Sequence, residues 1–279
     1  RYRYEKPVKG SFSDARLCPV SDGFQNCESF ELKILPKPSA VLRRLDFYTN
    51  QVHHFEVIES HHELSVTASS VVVTLPDTRD FSVYSDPEVL PTLNREEQCY
   101  DFLHSSERVV VSTPVIHETK ELKLEGMDVR QQVERVMDFI YHDFSYDPSS
   151  TRVETPVDHV LALRSGVCQD FAHVMIAFCR AAGIPTRYVS GYFYTERTQA
   201  GTAEDNTASH AWVECYLPGI GWVGYDPTHN RRVSPYYLKI GVGRDYVDVR
   251  PLAGTYRGLS KAEMSVEVAV KKIAGISPN

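Results

Sequence analysis

Cysteine is scarce in this chain of 279 residues, and long apolar stretches are lacking. The six cysteines show none of the close spacings that mark a zinc site or a redox dithiol. No apolar run approaches the roughly 20 residues that a membrane-spanning helix needs. Positive charge is also in deficit, since the formal net charge is -7. We therefore expect neither a nucleic-acid partner nor a membrane partner.

The first residues of the chain lack the apolar segment of a secretory signal peptide. Cys18 and Cys27 bracket a turn-rich segment and could pair only in an oxidising compartment, so their pairing is left open. Cys179 and Cys215 lie in apolar runs and are interpreted as core residues. These features favour a cytoplasmic setting, and the missing initiator Met leaves upstream processing open.

The first part of the chain, to about residue 104, consists of short alternating segments separated by turn residues. Alternation of apolar and polar residues is typical of half-buried strands. Strands are expected at 29–34, 53–59, 64–68 and 70–75. Several strands without intervening helices predict an antiparallel, β-sandwich-like domain at residues 1–104.

Helical periodicity begins after Asp128, the expected N-cap of an amphipathic helix that starts at residue 129. A short helix is expected at 157–163. The segment 167–182 is apolar on nearly all sides, which predicts a helix in the centre of a domain. We therefore predict an α+β protein in which a second domain, residues 105–279, follows the β-domain.

The second domain has its core at about residues 125–230, with strands continuing to residue 273. The expected strands are 186–194, 209–217, 222–226, 246–249 and 264–273. A polar loop at 195–207 is expected near the functional site, because binding and catalytic residues are often carried on loops.

Cys168 falls in the first turn of the central helix, with Ser165 and Gly166 before it as the expected cap. Free N–H groups and the positive end of the helix dipole stabilise an anion there, which favours the thiolate. The same amides can stabilise an oxyanion. Taken alone, such a cysteine is more often a packed structural residue.

His210 and Asp226 lie on consecutive predicted strands joined across Pro218 and Gly219, a hairpin signal. A pairing centred on Pro218 places His210 directly opposite Asp226 on one face, within hydrogen-bonding distance. A slip of one residue would separate them onto opposite faces. A thiol, a base and an orienting carboxylate are the parts that a nucleophilic triad requires.

Several of these segments carry a family resemblance. Residues 166–173, 183–192, 209–214 and 226–228 resemble the bacterial transglutaminase-like proteins of the papain-like thiol superfamily, which are often described as candidate cysteine proteases. Residues 243–248 are similar to a segment that follows the core in that family, and the strand-rich half resembles its β-domain. The resemblance implies a transglutaminase-like core in which the helix bearing the nucleophile packs on an antiparallel sheet.

The resemblance also implies roles for the triad: Cys168 as nucleophile, His210 as general base and acid, and Asp226 as the orienting carboxylate. The implied chemistry is acyl transfer on an amide bond through a thioester. Water as acceptor makes the enzyme a protease or amidase, which we prefer, whereas an amine acceptor makes it a transamidase. A non-catalytic interaction protein on the same fold is the remaining alternative. The implied substrate is a peptide or protein, and the oligomeric state is left open.

Candidates for the substrate cleft are Gln169, Asp170, Trp212 and Tyr146. Gln169 and Asp170 are also expected to anchor the start of the helix, and Trp212 is equally compatible with a core position. Tyr146 and His142 are candidates for a second oxyanion donor.

Other histidines are not expected to act at the site. His229 departs from the small or polar residue usual after Asp-Pro-Thr in this family; it could be a second imidazole near the site, but a loop histidine is the favoured interpretation. The pairs 53–54 and 61–62 are interpreted as solvated strand ends, since adjacent strand residues point to opposite faces and no zinc spacing is present. No acidic calcium loop is recognisable. We expect no metal and no cofactor.

Overall fold

The computed structural model describes residues 1–194 and 209–273. The predicted polar loop at 195–207 lies outside the described residues. The described part contains antiparallel sheets and a set of helices, which confirms the α+β prediction. Within those residues, no helix is both long enough and apolar enough to cross a membrane.

The strands are named in chain order. They are β1 (Tyr2–Ala15), β2 (Gln25–Leu35), β3 (Ala40–Leu45), β4 (Gln51–Val57), β5 (His61–Thr74), β6 (Ser145–Tyr146), β7 (Ser165–Gly166), β8 (Thr186–Phe193), β9 (Ser209–Leu217), β10 (Gly221–Asp226), β11 (Arg231–Arg232), β12 (Tyr237–Gly243), β13 (Leu252–Arg257) and β14 (Ala262–Met264).

The α-helices are also named in chain order. They are α1 (Glu97–Tyr100), α2 (Thr113–Glu121), α3 (Val129–Asp143), α4 (Val157–Leu163) and α5 (Cys168–Ala181), and short 3-10 helices cover Pro87–Arg95, Asp101–Leu103 and Tyr246–Val249.

The first sheet is built mainly from the N-terminal part of the chain. It has seven strands in the order β2-β5-β1-β4-β3, with β13 and β14 also paired to β1. The two strands predicted at 64–68 and 70–75 are one long strand, β5, because Ser69 stays in the ladder opposite Glu31. The buried face of this sheet is apolar and includes Val8, Phe55 and Leu64.

Helix α3 starts as its sequence predicts. Asp128 accepts a hydrogen bond from Gln131 N (2.8 Å), and the Gln131 side chain accepts one from Asp128 N (3.0 Å). This reciprocal capping box satisfies two amides that the helix itself cannot pair. Helix α4 also spans the predicted residues, Val157–Leu163.

The second sheet carries His210 and Asp226 of the predicted triad. Its five strands lie in the order β11-β10-β9-β8-β12, all antiparallel. The predicted hairpin between β9 and β10 forms, but its register was wrong by two residues. Glu214 pairs with Gly224 rather than with Trp222. A shift of two preserves the faces of the strands, so the consequence for the site is small.

The hairpin turn explains the difference in register. Gly219 and Gly221 both have positive φ, 82° and 94°, and Ile220 N donates to Leu217 O at 3.0 Å. The loop therefore includes residues 218–220, and the hairpin is centred on Gly219 instead of Pro218. Glycine favours this conformation because it has no Cβ to clash with the backbone.

Two predicted strands near the end of the chain were wrong. Residues 246–249 form a 3-10 helix, since the Asp245 side chain accepts from Val247 N (2.8 Å) and caps it. Of the strand predicted at 264–273, only Met264 lies in a strand, β14. The alternation there faces solvent instead of a core, as the burial of 262–267 shows. Strand β12, in contrast, was not predicted.

Helix α5 lies in the centre of the largest apolar cluster. All residues from Asp170 to Arg180 are buried. The cluster joins α5 to the β8–β10 face and also includes Leu93 and Cys99 from before residue 104. The predicted domain boundary near residue 104 stays a prediction.

Buried Arg180 ties α5 to three neighbouring segments. It donates to Phe102 O (3.1 Å), to Thr186 O (3.0 Å) and to Arg244 O (2.7 Å). These carbonyls come from the segment before α2, from β8 and from the loop after β12. The guanidinium therefore fixes the helix that presents Cys168 against the second sheet.

Candidate active site

The start of α5 places Cys168 as the first helical residue. The cap is not Ser165 or Gly166, as predicted, because these residues form β7, which pairs in parallel with β6. Val167 is the residue that precedes the helix, and its N–H donates to Asp170 Oδ2 at 2.9 Å. Asp170 thus anchors the helix start, as expected.

Gly166 is required by the close packing of this turn. A Cβ at Gly166 would lie 2.7 Å from Asp170 Cβ and 2.8 Å from Asp170 Oδ2. Asp170 is itself held by Thr151, whose Oγ1 donates to the same Oδ2 at 2.6 Å. The backbone just before Cys168 is therefore locked by a glycine, a buried carboxylate and a hydroxyl.

His210 lies near the start of β9 and meets both other members of the predicted triad. Its Nε2 is 2.7 Å from Asp226 Oδ2, and its side chain is only 10% exposed. Cys168 is near enough to act on this imidazole, since it contributes to raising the pKa of His210. With Nε2 directed at the carboxylate, Nδ1 is the ring nitrogen left for the thiol.

The electrostatics of this group favour a charged His210. Burial alone would lower the pKa of His210. The hydrogen bond with Asp226, together with the influence of Cys168, outweighs burial and raises this pKa to about 10. His210 is therefore protonated beside the Asp226 carboxylate, and an imidazolium is the partner that a thiolate nucleophile requires.

Asp226 is fully buried at the end of β10 and accepts several hydrogen bonds. Its Oδ2 accepts from His210, from His229 Nδ1 (2.7 Å) and from the Tyr237 hydroxyl (2.7 Å). Its Oδ1 accepts from Thr228 N at 2.9 Å. Burial would raise the pKa of Asp226, but hydrogen bonds from His210 and His229 hold it well below its usual range. The carboxylate is therefore ionised and fixed in orientation.

His229 lies in the turn after β10, and of its two interpretations the structure matches the second imidazole near the site. Its ring is part of the site, with a centroid 5.1 Å from that of His210 and 5.1 Å from that of Phe193. The sequence signal was its position three residues after Asp226, close enough for the two side chains to meet in a tight turn. Tyr237 could not have been found in this way, since β12 was not predicted.

The remaining candidates occupy different surroundings. Gln169 donates from Nε2 to Val153 O at 3.0 Å, so it braces the loop before α4. Asp170 is 1% exposed and anchors the helix. Tyr146 is 56% exposed, with its ring 6.2 Å from that of Phe171. His142 is exposed on α3 and pairs with Asp138 at 3.3 Å.

Trp212 lies beneath His210 on the same face of β9. It is 1% exposed, and its ring packs 5.3 Å from that of Tyr237. It also lines a cavity of about 360 Å³ whose walls include Glu214, Trp222 and Lys239 but no triad residue. Trp212 therefore packs against the His210 and Tyr237 rings and supports them.

The segment similar to the family, residues 243–248, docks against α5. Tyr246 N donates to His173 Nε2 at 3.2 Å, and Asp245 accepts from Arg108 N at 2.8 Å. Burial lowers the pKa of His173 to about 4, so its ring is a neutral acceptor. The Tyr246 contact therefore holds the nucleophile helix at His173, in its second turn.

A metal ion is not needed to explain the cluster. His210, Asp226 and His229 offer ligand atoms that lie within 4.8 Å of one another. In the part of the chain that the structure describes, however, these atoms are already joined by hydrogen bonds of 2.7 Å. That no metal is bound stays a prediction.

Comparison with known families defines the class to which this fold belongs. Residues 119–227 match the family model of the transglutaminase-like superfamily, and residues 1–73 match the bacterial transglutaminase-like N-terminal region. An uncharacterized protein of Mycobacterium leprae is 32% identical over 275 residues, which cover 98% of this chain and 96% of that protein. The chain belongs to the transglutaminase-like superfamily.

Two further proteins resemble this chain. The protein-glutamine gamma-glutamyltransferase of Pseudomonas aeruginosa is 35% identical over 132 residues, which cover 43% of this chain and 20% of that protein. A crystal structure described as a putative cysteine protease from Cytophaga hutchinsonii has a TM-score of 0.73 at 20% identity, covering 97% of this chain and 92% of that one. This last likeness supports the fold alone.

Proposed function

We propose that this protein is a thiol-dependent enzyme that transfers acyl groups from amide bonds, with Cys168, His210 and Asp226 as its triad. The observation that carries the proposal is the position of His210, which is hydrogen-bonded to Asp226 at 2.7 Å and has its pKa raised by both Asp226 and Cys168. Nucleophile, base and orienting group thus meet as the chemistry requires. Membership of the superfamily supports thiol-dependent activity in general.

The first half of the reaction forms a thioester. The Cys168 thiolate attacks the amide carbonyl carbon, and the carbonyl oxygen becomes an oxyanion. N–H groups in the first turn of α5, which have no carbonyl one turn earlier in the helix, are placed to stabilise it. Protonated His210 gives its proton to the leaving amine as the C–N bond breaks.

The second half returns the enzyme to its starting state. His210 takes a proton from the acceptor, which attacks the thioester carbon, and the sulfur leaves as a thiolate. Asp226 stabilises the imidazolium in each half and keeps Nε2 occupied, so that Nδ1 faces the sulfur. Water as acceptor gives a carboxylic acid, which is the outcome that we favour for a peptide, isopeptide or carboxamide substrate.

Transamidation of protein glutamine is the second candidate. It is favoured by the similarity to the Pseudomonas aeruginosa gamma-glutamyltransferase, whose matching part covers 43% of this chain. In that reaction an amine replaces water as the acceptor. We also propose a cytoplasmic location, because the six cysteines are sparse and do not show the spacing of a disulfide framework.

The test has a labelling arm and a substrate arm. Site-resolved labelling with iodoacetamide compares Cys168 with an ordinary surface thiol, provided by an unstructured cysteine-containing peptide. We expect Cys168 to react faster at neutral pH. Peptide, isopeptide and glutamine-amide substrates are then screened with and without a primary amine, using Cys168→Ala as the negative control and Cys27→Ala as the matched positive control.

The outcomes separate the alternatives. Amine incorporation would establish transamidation in place of hydrolysis. If Cys168 reacts no faster than an ordinary surface thiol at neutral pH, and Cys168→Ala keeps the measured amidase activity, the thiol-enzyme proposal is wrong. A non-catalytic interaction protein would then be the better interpretation of the fold.

A further inference from the structure

One oxygen atom of Asp226 accepts hydrogen bonds from three side chains. The donors are His210 Nε2, His229 Nδ1 and the Tyr237 hydroxyl, each at 2.7 Å from Oδ2. An ionised carboxylate can only accept, so His229 must donate its Nδ1 proton. The carboxylate that orients His210 is therefore shared with a second imidazole.

His229 is held in this position from several sides. Its ring packs at 5.1 Å from that of Phe193. The next residue, Asn230, has a positive φ of 49° and donates from Nδ2 to Asp138 on α3 at 3.1 Å. His229 is thus held both at its backbone and at its ring, while its side chain remains 33% exposed.

We propose that His229 is a positioning residue that shares Asp226 Oδ2 with His210 and so limits how strongly the carboxylate stabilises protonated His210. The inference rests on the proposed triad and deepens it. His229 acts through Asp226. No role in binding the substrate is assigned to it.

The physical reason lies in the competition for one acceptor atom. Each donor on Oδ2 withdraws charge from the carboxylate, which reduces the charge available to the His210 imidazolium. Too strong a pair with Asp226 would hold the proton on His210 when the leaving amine needs it. Removing the His229 donor should therefore strengthen the His210–Asp226 pair.

Other charged and titratable groups around His210 also influence its protonation. They are Cys168 at the start of α5, Asp226 on β10 and Tyr237 on β12, with Arg231 adding positive charge near Tyr237. All four stay in place when only residue 229 is changed. A difference between variants at that position can thus be assigned to the shared hydrogen bond.

Two substitutions at one position provide the test. His229→Leu removes the donor, whereas His229→Asn places an amide nitrogen near the position of Nδ1 and keeps it. The rate of iodoacetamide labelling at Cys168 is followed by mass spectrometry from pH 5 to pH 11 in the full chain. This readout needs no knowledge of the substrate.

In the wild type, labelling of Cys168 should show an alkaline step as His210 loses its proton. We expect His229→Leu to move this alkaline step upward by roughly half a pH unit or more, since one hydrogen bond to a charged group is altered. His229→Asn should return the step to the wild-type position. Thermal unfolding of both variants reports whether they fold.

Each outcome is decisive. An alkaline step that stays unchanged in His229→Leu overturns the inference while leaving the triad intact, and so does a step displaced equally in the Leu and Asn variants. If wild-type Cys168 shows no activation at all, the triad proposal fails and this inference fails with it. If His229→Leu does not fold, His229→Ala replaces it, because alanine also removes the donor and the Leu expectation holds.

Discussion

His210 and Asp226 meet along a diagonal of the β9–β10 hairpin, with 2.7 Å between Nε2 and Oδ2. Val213 pairs with Tyr225 in the ladder. Asp226 is therefore opposite Trp212, two residues along β9 from His210. Diagonal neighbours on one face are about 7–8 Å apart, which an imidazole can bridge. The hydrogen bond between His210 and Asp226 therefore requires that both side chains lie on the same face of the sheet and that they are long enough to reach each other.

Removing the charge of Asp226 while retaining its shape tests its role in orienting His210. In Asp226→Asn the amide can present a donor to Nε2, which favours the wrong tautomer. We expect kcat/KM to fall by about 10²–10⁴-fold, with labelling of Cys168 slowed in parallel. Steady-state kinetics on the substrate found by screening, together with iodoacetamide labelling, measure both effects.

Tyr237→Phe is the matched control for this substitution. It removes one donor from the same oxygen but leaves the negative charge and the ring. We expect a loss of at most about 10-fold, in line with one neutral hydrogen bond. Equal losses in the Asn and Phe variants would contradict the view that the charge of Asp226 supports His210.

The pH dependence of stability should carry the signature of His210. Its pKa is raised from 6.5 to about 10 on folding. A group whose pKa is raised contributes stability that is complete below its unfolded pKa and is lost as the pH rises through its folded pKa. The free energy of unfolding should therefore decrease between about pH 7 and pH 10 more steeply in the wild type than in His210→Gln, by a few kcal/mol at most.

Urea unfolding at several pH values measures this difference. Other groups titrate over the same range, but they are common to both proteins and cancel in the comparison. Parallel curves for the wild type and His210→Gln would show that the imidazolium is not stabilised in the folded state.

The local features of the site could be predicted from sequence because they depend on local rules. The apolar continuity of 167–182 fixed α5 and the position of Cys168 at its start. Asp128 and Gln131 satisfied the capping box that starts α3. For His210 and Asp226 it was enough to predict that both side chains lie on the same face of the sheet. A register error of two residues leaves each side chain on its face.

The features that could not be predicted depend on contacts distant in sequence. Tyr237 reaches Asp226 only because β12 adds to the sheet beside β8, and the Lys239–Gly243 stretch has two glycines that weaken its strand signal. Similarly, β13 pairs with β1 across most of the chain. Neither pairing can be predicted from the alternation of apolar and polar residues in its own segment.

The turn before Cys168 offers a test of how precisely the nucleophile must be placed. In Gly166→Ala the new Cβ would meet Asp170 at 2.7 Å, so the carboxylate that anchors α5 must move. We expect slower labelling of Cys168 and a destabilisation of about 1–3 kcal/mol. Gly23→Ala is the matched control, since no atom lies within 4 Å of its added Cβ and it should behave as wild type.

A buried ion network joins the second sheet to the N-terminal segment. Glu214 is 6% exposed and bonds both Arg187 (2.6 Å) and Lys239 (2.5 Å), and Lys239 continues to Asp22 at 2.8 Å. Burial would raise the pKa of Glu214, but Lys239 and Arg187 lower it to about 2. The carboxylate therefore remains charged in the sheet interior.

Lys239→Met should cost about 3–5 kcal/mol, because it leaves the buried charge of Glu214 with a single partner and frees Asp22. The matched control is Glu134→Gln, which removes the exposed Arg130–Glu134 pair on α3 and should change stability by less than about 1 kcal/mol. Urea unfolding at pH 7 measures both. If the two substitutions cost the same, the network does not hold the N-terminal segment to the sheet. If only Lys239→Met is costly, the buried network of Glu214, Lys239 and Asp22 stabilises the fold.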